Sequence, residues 1–192
     1  MNKIKSFGMC VGLAAGISAF ILCMLVGNTK FVNFLWVGFL SMIIYFAAGG
    51  NKDWKLAGRM ICTFGCGLLW GQLSNLIYVL TFDINPILAS VLDYFVLVAV
   101  LVWVHLSLLN KTPCNFLPTA FLGLACTIGF FGRPFPYAGM GLAGDMAPGM
   151  IIVYLVFYMI FGLVFSLMIN YIGGFLAKHM LKQSVERHDE QA

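Results

Sequence analysis

A chain of 192 residues that is 61% hydrophobic and 9% charged, with a mean hydropathy of +0.96, lies outside the composition of soluble domains and reads as an integral membrane protein. The formal net charge of +4 rests on only 11 Lys and Arg. That excludes the basic surface a nucleic-acid partner requires and leaves the lipid bilayer as the first partner.

Six stretches approach the roughly 20 apolar residues that cross a bilayer. The expected fold is an all-α membrane protein, because isolated strands would leave backbone groups unpaired in lipid. The first span is 7–27. Lys3 and Lys5 precede it, but its apolar run exceeds the h-region of a signal peptide and no A-x-A site follows, so it reads as a retained helix. Gly8, Gly12 and Gly16 give it a doubled G-x-x-x-G, which suits close packing within the protomer or against a second copy in a homo-oligomer.

The second span, 33–50, is followed by Lys52, Asp53, Lys55 and Arg59. In the third, 56–80, Gly58, Cys62, Gly65, Leu69 and Gln72 fall on one stripe with Asn75 at its margin, while Gly67, Gly71 and Ser74 fall on the other side. Neither stripe suits lipid, so this helix is expected between neighbours. A polar turn holds Asp83 and Asn85, and Pro86 opens the fourth span, 86–109. The fifth covers 115–131 and the sixth 148–177, so one six-helix domain fills 1–177 and a cytoplasmic tail follows at 178–192.

Lys and Arg sort by side. Nine precede the first span, lie between the second and third or the fourth and fifth, or follow the sixth; only Lys30 and Arg133 lie opposite. The excess marks the cytoplasmic face and predicts both termini inside.

The stretch NFLWVGFLSMIIYFAAGG (33–50) returns 82 positions later as NFLPTAFLGLACTIGFFG (115–132), with six identities in eighteen. GLLWGQLSNLI (67–77) returns 95 positions later as GLVFSLMINYI (162–172), with four. Two matches in the same order point to a unit of three spans written twice, over 1–80 and 86–177. An odd unit enters the membrane from opposite sides, so the expected architecture is a 3+3 inverted-topology repeat. Chance likeness between apolar helices is the alternative. The thirteen residues added in the second half fall in GRPFPYAGMGLAGDMAPG (132–149), whose three prolines and five glycines preclude a continuous helix. Such a stretch suits a lid, a re-entrant segment or a plain surface loop on the outer face.

FLWVGFLSMIIYFAAGG followed by GCGLLWGQLSNL resembles the YcdZ-like family of bacterial inner-membrane proteins, a family of unknown function. The resemblance covers about the first eighty residues. It implies a multi-pass protein of a bacterial inner membrane and carries over no substrate, cofactor or catalytic residue.

No HExxH, G-x-S-x-G, P-loop or carboxylate pair is present, so no cofactor, metal or catalytic site is expected. The six cysteines lie in or next to apolar helices and read as small packing residues; nothing in the sequence adds a third ligand to Cys62 and Cys66. Apart from His105, Asp93 is the one ionisable residue well inside a span, seven residues or about 10 Å past Pro86, at a depth where Gln72 and Asn75 on the third span could meet it. His105 reads as an interfacial residue beside Trp103. An intramembrane acid marks a functional position by default, although a neutral hydrogen-bonded carboxyl serves packing equally. Gln72, Asn75 and Asp93 in the outer half, with Ser166 and Asn170 in the inner half, are the candidate lining of a solute path; Trp70, Phe130 and Phe131 are its candidate constriction; Gly67 and Gly71, with the first-span glycines, are the packing positions. The leading reading is a channel or transporter for a small solute of unknown identity. The alternatives are a non-catalytic membrane subunit or assembly protein and, last, a membrane enzyme without a recognisable motif.

Overall fold

The computed structural model describes residues 31–50, 53–132 and 141–189, with side chains to residue 179, and isolated positions between 10 and 29. Over 31–189 the chain forms α1 (Val32–Ala47), α2 (Trp54–Phe82), α3 (Pro86–Leu108), α4 (Leu117–Phe131) and α5 (Pro148–Asp189). No strand occurs among the described residues.

The ends follow local chemistry. Asp53 caps α2 by accepting from the backbone N–H of Lys55 (2.9 Å) and Leu56 (3.2 Å). Asn85 does the same for α3 through Ile87 (2.9 Å) and Leu88 (3.2 Å), with Pro86 in the first turn. Gly49 (φ 75°) stops α1 and Gly132 (φ 72°) stops α4, both in the left-handed region that glycine alone enters without strain.

These stops correct the expectation of six spans. Among the described residues, only α2, α3 and α5 are long and apolar enough to cross a membrane; α1 has 16 residues and α4 has 15. At 1.5 Å per residue those two reach about 24 Å and 22 Å, short of a hydrocarbon core of about 30 Å. The sequence ranges had counted capping and turn residues as span. The first span lies mostly outside the described residues. Beyond 177, where a tail was expected to begin, α5 continues as helix to Asp189.

α3 is continuous but wound unevenly: Val91–Leu97 and Val104–Leu108 are π-helical, as in Leu109 N–H donating to Val104 O five residues back at 2.9 Å.

Two parallel pairs build the bundle. In the first, α2 lies on α4 through backbone contact. A Cβ on Gly67 would overlap Ala120 O and approach Gly123 Cα to 2.9 Å, and one on Gly123 would come within 2.5 Å of Phe64 O. In the second, α1 lies on α5, where a Cβ on Gly162 would overlap Gly38 O and Ser41 Oγ. Ser41 Oγ donates to Gly38 O (2.8 Å) and Met159 O (3.4 Å). Small residues at these crossings let dispersion act over the whole interface. The pairs run antiparallel to each other: Phe34, at the start of α1, packs on Phe130, at the end of α4, with ring centroids 4.4 Å apart.

α2 thus buries only one of its two small-residue stripes. Gly67, Gly71 and Ser74 face α4 or α3, whereas Gly58 and Gly65 have open space where a Cβ would stand, and Cys62 and Leu69 are exposed. One flank of the helix is unpartnered within 31–179, contrary to the expectation that both would be covered.

Candidate functional site

Among the described residues Asp93 is the only buried carboxylate, 2% exposed. The first π segment of α3 holds it, and its Oδ1 accepts from Ser74 Oγ at 2.5 Å. A carboxyl at this depth is tolerable only when protonated or partnered, and Ser74 is a partner on the neighbouring helix. The sequence placed Gln72 and Asn75 beside Asp93. Both are half-buried, and Asn75 Oδ1 is buried without a protein hydrogen-bond partner. Ser74, between them in sequence, is the residue that bonds Asp93. The signal was present: a serine on the glycine face of α2 belongs to a helix crossing, not to lipid.

The second polar group lies on α5. Ser166 Oγ donates to Gly162 O at 2.8 Å; Asn170 Nδ2 donates to Ser166 O (3.2 Å) and Gly50 O (3.3 Å). Both are buried on one helix face, but their bonds go to backbone carbonyls: that of Ser166 stays within α5, and Asn170 alone ties α5 to Gly50, in the turn after α1. Asn170 therefore stands at the C-terminal end of α1, and Asp93 near the opposite end of the bundle, where α3 starts.

The proposed constriction residues do not assemble. Phe130 is buried against Phe34 and Trp36, with ring centroids 4.4 Å and 5.5 Å away, and Phe131 packs on the same core. Trp70 belongs to a separate cluster with Leu97, Leu101, Ala120 and Leu124. As for the glycines, Gly71 lies against Thr127 with no room for a Cβ, and Gly67 is in the crossing already described. Gly12 and Gly16 have open space, and Gly8 lies outside the described residues.

His105 is corrected as well. It is fully buried, while Trp103 is exposed. His105 Nδ1 lies 2.6 Å from Cys114 O; a carbonyl accepts, so Nδ1 carries the proton. In the neutral ring, Nε2 then keeps a lone pair with no protein partner.

Among the described residues no three His, Cys, Asp or Glu side chains are arranged to hold a metal ion. No curated protein and no solved structure matches the chain. The model of one family does, described as "Protein of unknown function (DUF1097)", over residues 8–174, and the chain belongs to that family.

Proposed function

We propose that this member of the DUF1097 family is a multi-pass membrane protein built as a 3+3 inverted repeat, which passes a small solute between its two halves as a channel or transporter. One observation carries the repeat: the two helix crossings are equivalent under the offsets of the sequence matches. Gly67 on Ala120 and Gly123 becomes Gly162 on Gly38 and Ser41. Phe64 O against Gly123 becomes Met159 O against Ser41. Phe116 N–H donating to Thr63 becomes Phe34 stacked on Tyr158. Even the face of α4 that receives Leu97 and Leu101, formed by Leu117, Ala120, Phe121 and Leu124, has its counterpart in a cleft lined by Leu35, Gly38, Phe39 and Met42. Helix two of each half therefore packs on helix three of the other, which a chance likeness of composition would not produce. Inverted halves locked by exchange are an arrangement used for alternating access.

The buried Asp93–Ser74 bond, with Asn75 one residue on and half-buried, supplies the polar chemistry of such a path. On α5 the position equivalent to Asn75 is Asn170, one turn from Ser166, whose backbone O accepts from it. In this reading both termini are cytoplasmic and the membrane is the bacterial inner membrane, as the YcdZ-like resemblance and the basic residues suggest. The second reading, a non-catalytic subunit, is favoured by the open flank at Gly58 and Gly65, which offers a helix partner a close approach.

Purified protein in liposomes should raise the flux of small neutral solutes above that of empty liposomes, and Asp93→Leu protein of normal yield should lose that flux. Unchanged flux in Asp93→Leu would remove Asp93 from the path. A wild type that passes nothing yet co-purifies with a stoichiometric membrane partner would replace the first reading by the second.

A further inference from the structure

Three cysteines meet at the end of the bundle that carries Lys55, Arg59 and Lys111. Cys62 and Cys66 lie one turn apart on α2, and Cys114 comes to them from the connection between α3 and α4. That connection is fastened on both sides of Cys114. Thr63, adjacent to Cys62, donates from Oγ1 to Pro113 O (3.2 Å) and accepts from Phe116 N–H (3.3 Å). Arg59 Nη2 donates to Asn115 Oδ1 at 2.6 Å, and His105 holds Cys114 O. The Cys114 thiol consequently interacts with those of both Cys62 and Cys66.

The three differ in access. Cys62 is exposed, Cys66 and Cys114 are half-buried, and Cys126, elsewhere on α4, is fully buried. They also differ in whom they can bond. Residues four apart on a helix hold their Cβ atoms about 5–6 Å apart, beyond the roughly 3.5–4.5 Å of a disulfide. Cys62 and Cys66 cannot pair without breaking the helix, so Cys114 is the required partner of either.

We propose that Cys62, Cys66 and Cys114 form a thiol–disulfide exchange site, in which a low-molecular-weight disulfide oxidises Cys114 and one α2 cysteine to a bond that ties the α3–α4 connection to α2. The Cys62 thiolate attacks one sulfur of the reagent; the reagent's S–S bond breaks, and one thiol leaves with the proton that Cys62 gave up. Cys114 then loses its proton and attacks the Cys62 sulfur of the mixed disulfide, which expels the second thiol. Cys66, also a neighbour of Cys114, exchanges in turn: its thiolate attacks the Cys114 sulfur, the Cys62–Cys114 bond breaks and Cys62 leaves as the thiol. Two protein thiols are oxidised by two electrons, and one reagent disulfide is reduced to two thiols. Burial first, and then the neighbouring Cys66 thiol, push Cys114 above the ordinary thiol range. Access sets the order: Cys62 is the exposed thiol and attacks first, and the half-buried Cys114 resolves. The site stands independently of solute passage.

The test uses the full chain in detergent, reduced, freed of reductant and treated with 2-hydroxyethyl disulfide, whose lack of charge lets it reach a site near the membrane interface. Intact mass should show the loss of two hydrogens, and peptide mapping should join Cys114 to Cys62 or Cys66. The Cys114→Ser protein should instead keep a stable hydroxyethylthio adduct on Cys62. If that variant does not fold, the double variant Cys62→Ser, Cys66→Ser asks the same question, because no internal bond should form in it. Persistent adducts without an internal bond in the native chain, an internal bond that omits Cys114, or one that survives in the double variant would overturn the proposal.

Discussion

Adding one methyl group at Gly67 tests how α2 and α4 are held together. In Gly67→Ala the new carbon overlaps Ala120 O and stands 2.9 Å from Gly123 Cα and 3.0 Å from Ala120 C. Ordinary carbon contacts are about 3.5–4.0 Å, so the helices must separate by about 0.5–1 Å, and a gap of that size forfeits a quarter to a half of each dispersion contact along the crossing. The obstructing atoms are backbone, and no rotamer change relieves them. Overpacking of this kind costs about 1–3 kcal/mol, and alanine's better helix propensity returns up to about 1 kcal/mol. The expected net loss is about 1–2 kcal/mol, near a tenfold change in the folded-to-unfolded ratio. Gly162→Ala at the other crossing should lose a similar amount, because Gly38 O obstructs it. Gly38→Ala, whose nearest obstacle is Tyr158 O at 3.3 Å, should lose less, and Gly65→Ala, with nothing within 4 Å, should lose nothing. The assay is unfolding by SDS in mixed micelles, followed by tryptophan fluorescence and circular dichroism. Equal midpoints for Gly67→Ala and Gly65→Ala would refute the close crossing, and a loss at Gly67 without one at Gly162 would refute the equivalence of the two pairs.

In the same assay Asp93→Asn should stay within about 1 kcal/mol of the native chain, since an amide oxygen still accepts from Ser74, whereas Asp93→Leu removes the acceptor of that buried bond and should lose about 1–2 kcal/mol more; equal stability of the two would mean that the bond contributes nothing. Reporter fusions after Gln191 and within 136–144 should score cytoplasmic and external respectively, and matching scores would defeat the inverted topology.

Much of the bundle is legible in the sequence because its signals are local. Asp53 and Asn85 are side chains that can cap the next backbone N–H groups, Gly132 ends a helix, and Asp93 stands out against apolar neighbours. The face of Gly67 and Gly71 is likewise set by helical period alone. Partner choice is not local. Whether Ser74 or Asn75 reaches Asp93 depends on how α3 crosses α2, and a crossing angle leaves no trace in the period of either helix. Gly38 belongs to no glycine pattern of its own, and its role exists only because Gly162 arrives opposite it. Cys114 was invisible for the same reason: Thr63, bonded to Pro113 fifty residues later, brings it to Cys62 and Cys66.

The uneven winding of α3 acts as a vernier. Its buried positions are Ala89, Asp93, Leu97, Leu101 and His105, a strict step of four. In a uniform α-helix each such step overshoots a full turn by about 40°, so the last of the five would sit about 160° from the first, on the opposite side. Each π turn absorbs about one extra residue and resets the count. The result is a straight seam along one edge, with Asp93 and His105 on the protein side and Tyr94 among the exposed residues away from it. The phase resides in the backbone rather than in the side chains, so a one-residue deletion within Val91–Leu97 would keep the helix apolar throughout and yet turn everything beyond it by about 100°.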